Sequence, residues 1–282
     1  MELVKDPLPR MIPSLSTRIA EVPGRKDRAL MSLPELALMA KELGYQALSM
    51  RASQLSIQTP SEEVAAAKRS LDEAGIDVSM VTGTVSLAAN DDQATEPLRN
   101  IGPHLDLAER LGCSLVRVML QREEDIPWAH RAAQHAGERG IKLAHQTHVG
   151  TLLETADGAL EVVRRVNSPH FGLTYEASNM LVCGGGYGPD VIRCLAPHIL
   201  NVYLQNWHAH PGGALAIKTN AGVVHADQIP LDDTSGVDYA QVFDGLRQIG
   251  WTGYVTVHQT LLSGEDVREA SARHLDAVRG YL

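Results

Sequence analysis

Residues 126–148 read IPWAHRAAQHAGERGIKLAHQTH. Ile126 to Arg139 has helical period, Gly140 stops it, and Ile141 to His148 is an apolar-led run that closes on polar groups. The same plan of helix, glycine and buried strand recurs on both sides. Towards the N-terminus, Ile12 to Ser16 is the first predicted strand. Ser32, with Glu35 three residues on, caps a helix that Gly44 ends before the strand Gln46 to Met50. Ser61 is expected to cap a helix to Ala74, with Gly75 before the strand Ile76 to Val81. Pro97 to Leu111 and Gly112 precede Leu115 to Leu120. Towards the C-terminus, Leu153 to Val166 leads to Phe171 to Glu176, and Pro189 to Leu195 to Ile199 to Gln205. Val237 to Ile249, with Gly250, leads to Tyr254 to His258, and Glu265 to Leu282 closes the chain as an amphipathic helix.

Eight strand and helix pairs in strict alternation imply a parallel sheet, and that number favours closure into a barrel over an open doubly wound sheet. An open sheet would announce itself by a glycine-rich phosphate turn after the first strand, and Leu15 to Ala20 contains no glycine. The fold class is therefore α/β, a single (β/α)8 barrel over residues 1–282. Two stretches break the rhythm: Met180 to Pro189, with Gly184, Gly185, Gly186 and Gly188, and Trp207 to Asp233. Both are expected to be long loops over the barrel mouth. The glycine loop lacks the Lys and Ser or Thr pair of a nucleotide site, so no nucleotide cofactor is expected.

Composition narrows the function classes. Lys and Arg total 25 against 34 Asp and Glu, with no basic run in the sequence, so nucleic acid is not an expected partner. Cys113, Cys183 and Cys194 form no CxxC pair and no even framework, which fits a reducing compartment. Met1 to Arg10 does not read as a secretory signal, and no run of about 18 apolar residues suggests a membrane span. The expectation is a cytoplasmic protein with no membrane contact. Aromatics make up only 4% of residues, so Ala, Val, Leu, Ile and Met must build the core.

In a parallel barrel the carboxyl ends of all strands open on one mouth, where the active site sits. The polar residues at those ends are Gln146, Glu176, Tyr203 with Gln205, and His258. Strand alternation places His148 on the side of Gln146 and His145 on the other. His148 and His258 are the candidate bases. Trp207 offers an apolar face, Asn179 a polar group just beyond Glu176, and Arg51 and Arg117 candidate anion or hydroxyl contacts, with a structural ion pair the alternative for Arg117. His208 and His210 are expected to be exposed, and Glu123 and Glu124 to form the acidic first turn of a helix.

These strand ends carry a family resemblance. Gly140-Ile141-Lys142-Leu143 leading to Gln146-Thr147-His148, then Phe171-Gly172-Leu173-Thr174-Tyr175-Glu176, then Val237-Asp238-Tyr239 followed by Gly250, Gly253 and His258, resemble the sugar phosphate isomerase/epimerase superfamily with the xylose isomerase-like TIM barrel. In typical members the matching four positions carry Glu, Asp, His and Glu, which hold one divalent metal, and the two glutamates shuttle a proton. Here only Glu176 keeps a carboxylate. The resemblance implies a metal of the Mn, Fe, Co or Zn type on Gln146, Glu176 and His258, and the substitutions leave a metal-free mouth equally open. It implies an enzyme acting on a keto-sugar or polyol-like small molecule by proton abstraction next to a carbonyl, with isomerisation, epimerisation or β-elimination as outcome. His258 or His148 would be base, and Glu176 would hold the metal or orient an imidazole. The alternative is a barrel that has lost catalysis and serves as a ligand-binding or partner subunit. Homo-oligomer formation is a further expectation.

Overall fold

The computed structural model describes residues 10–282; all but the last residue of the N-terminal stretch read as lacking a signal lies outside them. Eight parallel strands close into a barrel: β1 (Ile12–Ser16), β2 (Ala47–Arg51), β3 (Asp77–Thr82), β4 (Leu115–Val118), β5 (Lys142–Gln146), β6 (Phe171–Glu176), β7 (Ile199–Leu204) and, after a separate small sheet, β11 (Tyr254–Val257). Each strand pairs with its sequence neighbours, and β11 pairs with β1 to close the ring. This is a (β/α)8 TIM barrel.

The helices are α1 (Leu33–Leu43), α2 (Ser61–Ala74), α3 (Val85–Ala89), α4 (Gly102–Arg110), α5 (Ile126–Glu138), α6 (Ala156–Val166), α7 (Ala177–Val182), α8 (Pro189–Leu195), α9 (Tyr239–Gln248) and α10 (Val267–Arg279); all but the short α3 and α7 follow the repeat seen in the sequence, and α7 takes up the first residues of the expected loop from Met180 to Pro189. In α5, Pro127 sits in the first turn, where its missing N–H costs nothing. Ala129, Ala132, Ala133 and Ala136 form the buried stripe of α5, so the helix lies close on the sheet without needing large side chains. Gly75 ends α2 at φ 64°, a left-handed conformation that a Cβ would strain, and that turn drops the chain directly into β3. Among the described residues no helix is long and apolar enough to cross a membrane.

Three local expectations change. Ser61 does not cap α2: Pro60 holds the cap position, and the Ser61 hydroxyl instead accepts from Arg110 Nη1 at 2.8 Å. The predicted helix from Pro97 breaks into a 3-10 turn, Glu96–Leu98, before α4 begins at Gly102. Most informatively, Trp207 to Asp233 is not a loop. It folds as an antiparallel sheet of β8 (Trp207–Ala209), β9 (Leu215–Thr219) and β10 (Gly222–Gln228), in the order β8-β10-β9.

That excursion is anchored at both ends. At its base, Asn206 donates from Nδ2 to the carbonyls of Pro230 and Asp233 and accepts from the Val237 N–H, three bonds from one buried amide. At its tip, the Glu154 carboxylate accepts from the Asn220 N–H at 2.9 and 3.0 Å and from the Gly150 N–H. At Gly213 the backbone passes so close to β10 that a Cβ would lie 2.4 Å from the Ala226 nitrogen.

The barrel interior is unusually polar for a packed core. Ser14 bonds Ser79 at 2.8 Å, Ser49 bonds the Tyr203 hydroxyl at 2.9 Å, and Thr256 donates to Asn201 Oδ1 at 3.3 Å. All six residues are buried, and the pairs reach across the ring, with Asn201 Nδ2 left without a partner among the described residues.

Candidate active site

At the C-terminal mouth lies a cavity of about 240 Å³. Its polar lining divides by origin. Arg18, Lys26, Arg51, Asn90 and Arg117 come from the β1 to β4 half, whereas Gln146, His148, Asn179, Gln205 and His258 come from the β5 to β11 half. Trp207 and Ile217, from β8 and β9, place the small sheet against the cavity.

His258 stands just past β11. Its Nδ1 lies 3.0 Å from Ser16 Oγ, and its ring lies flat on Tyr203 with centroids 3.9 Å apart and planes 9° from parallel. No protein group among the described residues bonds its Nε2, which leaves that nitrogen for a ligand. Burial, and then the charges of Arg18, Arg51, Arg117 and Lys26, hold its pKa well below the ordinary imidazole value. The ring is neutral at working pH. Tyr203 does not line the cavity; its hydroxyl is taken by Ser49 and it supports the imidazole from below, a correction to its expected place against substrate.

His148 also borders the cavity, but both its nitrogens are engaged. Nδ1 donates to the Val149 carbonyl at 2.8 Å, which makes Nε2 the acceptor for Asn90 Nδ2 at 3.1 Å. The opposite atom of that amide, Asn90 Oδ1, accepts from Arg117 Nη2 at 2.5 Å. One asparagine therefore couples a cation to a neutral ring and fixes its tautomer. Burial, with the Arg117 charge second, lowers the His148 pKa to about 3. His148 is accordingly a held hydrogen-bonding group with no free lone pair, not the available base expected from its register. His145 turns to the other side as expected, against the carbonyls of Gln146 and Leu120.

Glu176 is fully buried at the end of β6. Gln146 Nε2 donates to its Oε2, and Ser178 Oγ donates to its Oε1 at 2.8 Å. Burial raises its pKa to about 7 despite those donors and the attraction of Arg18 and Arg117. The carboxylate contacts no imidazole, so the expected orienting role passes to Ser16.

The cations differ in how they are compensated. Arg51 Nε bonds Glu21 Oε1 at 2.6 Å, and Lys26 Nζ reaches Glu21 Oε2 at 3.0 Å. Arg18 Nη1 donates to Gln205 Oε1 at 2.5 Å and to the His258 carbonyl at 3.3 Å. Arg117 donates to Asn90 and to the Leu87 carbonyl. Neither Arg18 nor Arg117 makes an ion pair among the described residues, and the Nε of each is buried without a partner. Burial pulls both pKa values down to about 10, which still leaves them protonated at neutral pH. The ion pair offered as the plain explanation of Arg117 is thus absent among those residues.

Asn179, on α7, donates to the Thr147 carbonyl at 2.9 Å while lining the cavity. Sequence reasoning missed Arg18, Lys26 and Asn90. Arg18 lies two residues beyond β1, so extending the strand-end rule to the first strand would have found it. His208 and His210 are half-buried in or beside β8, stacked on each other, with His210 bonded to Asp227 at 2.8 Å. Glu123 lies in the short turn before α5 and pairs with Arg165.

The donors at Gln146, Glu176 and His258 do not suit a divalent cation. Only Glu176 carries charge, both its oxygens accept hydrogen bonds, and four cationic side chains share the cavity. No group of three or more His, Cys, Asp or Glu side chains placed to hold a metal occurs among the described residues.

Solved structures share this architecture. A xylose isomerase-like TIM barrel/4-hydroxyphenylpyruvate dioxygenase fusion protein superposes with TM-score 0.70 at 17% identity over 95% of this chain, which spans only 42% of that protein. A xylose isomerase domain protein from Planctomyces limnophilus gives 0.71 at 17% identity and 98% coverage of both chains. The probable 3-DHS dehydratase AsbF from Bacillus anthracis gives 0.68 at 16% identity, over 95% of this chain and 99% of that one. No curated protein sequence matches the chain significantly. The model of the xylose isomerase-like TIM barrel family matches residues 38–278, and the chain belongs to that family.

Proposed function

We propose that this protein is an enzyme that removes a proton next to a carbonyl of a small, carbohydrate-derived substrate, with His258 as base. The observation that carries the reading is the His258 imidazole: neutral, with Nδ1 against Ser16, backed by Tyr203, and with Nε2 left to the cavity. A neutral imidazole accepts a proton, and its fixed orientation removes the need to reorganise.

The electron pair released by that step moves to the carbonyl oxygen, which gains charge as the enolate forms. Arg18 and Arg117 line the same cavity and supply positive charge where it is needed most. Gln205 and Asn179 complete the hydrogen-bonding wall. Burial first, and the neighbouring cations second, disfavour imidazolium, so His258 holds an accepted proton weakly and passes it on readily.

From the enolate, protonation at the neighbouring carbon gives isomerisation, protonation from the opposite face gives epimerisation, and loss of a β-hydroxyl as water, with the proton handed back by the His258 imidazolium, gives a lyase. A second base paired with His258 is not evident, since His148 is held by Val149 and Asn90 and Glu176 by Gln146 and Ser178. That asymmetry favours elimination. The unpaired Cys113, Cys183 and Cys194 support a reducing, cytoplasmic setting.

Solvent deuterium exchange into a panel of keto-sugars and keto acids, followed by NMR, tests the reading. Exchange that disappears in His258→Gln supports it. A folded protein that binds a panel member without exchanging any proton would sink it and leave a ligand-binding subunit.

A further inference from the structure

The charge balance of the cavity goes one step further, resting on the assignment of this cavity as the substrate site. Arg18, Lys26, Arg51 and Arg117 line it, and Glu21 serves both Arg51 and Lys26. Even with Glu176 counted as fully ionised, positive charge exceeds negative by two among these groups. A chain with nine excess negative charges overall has concentrated cations in one hole.

Such an excess is costly to bury. Arg117 is only 2% exposed, has no carboxylate beside it, and leaves its Nε unpaired; Arg18 leaves its Nε unpaired as well. An uncompensated buried charge destabilises a fold by several kcal/mol, so such groups persist where a ligand supplies the counter-charge. Guanidinium forks match carboxylate and phosphate oxygens in shape as well as charge. The cavity volume of about 240 Å³ suits a small metabolite.

We infer that the cavity takes a dianionic small molecule, one with two carboxylates or a phosphate monoester, in preference to a neutral sugar. Its anionic groups lie towards Arg18 and Arg117, and its reactive carbon towards His258. The lining residues Gln146, Asn179 and Gln205 are uncharged and serve its hydroxyl or carbonyl oxygens.

Isothermal titration of the full chain with succinate, inorganic phosphate and D-fructose tests this. The expected result is measurable binding of at least one of the two anions, with affinity at least about tenfold above that for D-fructose and lowered about tenfold or more in Arg117→Met. Whichever of succinate and phosphate binds more tightly identifies the anionic group. Arg117→Met should also lose the anion-induced rise in melting temperature that the wild type shows. D-fructose binding as tightly as either anion, or no anion binding by folded wild type, overturns the inference. Since binding is read without turnover, absence of deuterium exchange would remove the catalytic reading and leave this one standing. Exchange into neutral keto-sugars with no anion binding would do the reverse.

Discussion

His258 and Tyr203 form a stacked pair, 3.9 Å between centroids, in which the phenol ring fixes the plane of the imidazole and Ser49 fixes the phenol. Tyr203→Phe keeps the ring and loses only the Ser49 bond, so exchange activity should stay within about threefold of wild type, the effect of one modest hydrogen bond. Tyr203→Ala removes the platform and leaves a void. It should cost roughly 3–5 kcal/mol in denaturant unfolding and lower kcat more than it changes KM. Equal activity of the two variants would show that the stack does not position the base.

Proton abstraction should have an unusual acid limit. Burial and four nearby cations disfavour imidazolium at His258, so the free base persists as pH falls below the ordinary value of 6.5. The acid limb of kcat/KM, which reports the free enzyme, should therefore lie below pH 6.5. A limb at or above that value would rule out His258 as the titrating base in this environment.

Stability should fall as pH rises through the Glu176 range. Its carboxyl stays protonated in the fold up to about 7 against 4.5 for the free side chain, so the unfolded chain releases the proton first. The stabilising contribution is complete below pH 4.5, declines between 4.5 and about 7, and is gone above, a difference of roughly 3 kcal/mol. Glu176→Gln should flatten that part of the profile of unfolding free energy against pH. A profile unchanged by the substitution would show that another group sets it.

Asn90 holds a left-handed backbone, φ 57°, as well as the bridge from Arg117 to His148. Asn90→Gly loses only the bridge, and Asn90→Ala loses the bridge and strains the backbone. The alanine variant should be about 1–2 kcal/mol less stable than the glycine variant, while both should impair ligand binding similarly. Calorimetry of the two variants separates these contributions.

Loss of the Glu154 carboxylate frees the tip of the β9–β10 hairpin. Glu154→Ala leaves the N–H groups of Gly150 and Asn220 without that acceptor and should cost about 1–3 kcal/mol. It should also speed proteolytic cleavage between residues 213 and 222 and raise KM. Unchanged cleavage would mean that the Asn206 anchor alone holds the small sheet.

How much of this was readable beforehand follows from the physics of each part. The barrel was legible because each repeat signals itself locally: Ala129, Ala132, Ala133 and Ala136 carry the helical period, and Gly140 and Gly75 mark the turns. The small sheet was not, because its strands do not sort into a buried and an exposed face. Leu215 is 48% exposed and Val223 is 58% exposed, so alternation carried no signal. The Thr219-Asn220-Ala221-Gly222 turn was its one visible mark. At the mouth, Gln146, Asn179, Gln205 and His258 could be placed from strand ends. Of the cationic side, Arg51 and Arg117 could be placed in the same way, whereas Arg18 and Lys26 lie beyond the first strand in a turn and a loop and join them only when the ring closes.

The split origin of the cavity wall has an evolutionary meaning. The cationic lining residues come from the β1 to β4 half of the chain, and His258 with the uncharged glutamines from the β5 to β11 half. On the proposed reading, handle and tool are encoded in separate halves of the gene. Mutation can retool the second half for a new reaction while the first half keeps hold of the same class of molecule, and a chimera joining residues 1–120 to another family member's second half is the natural place to watch that happen.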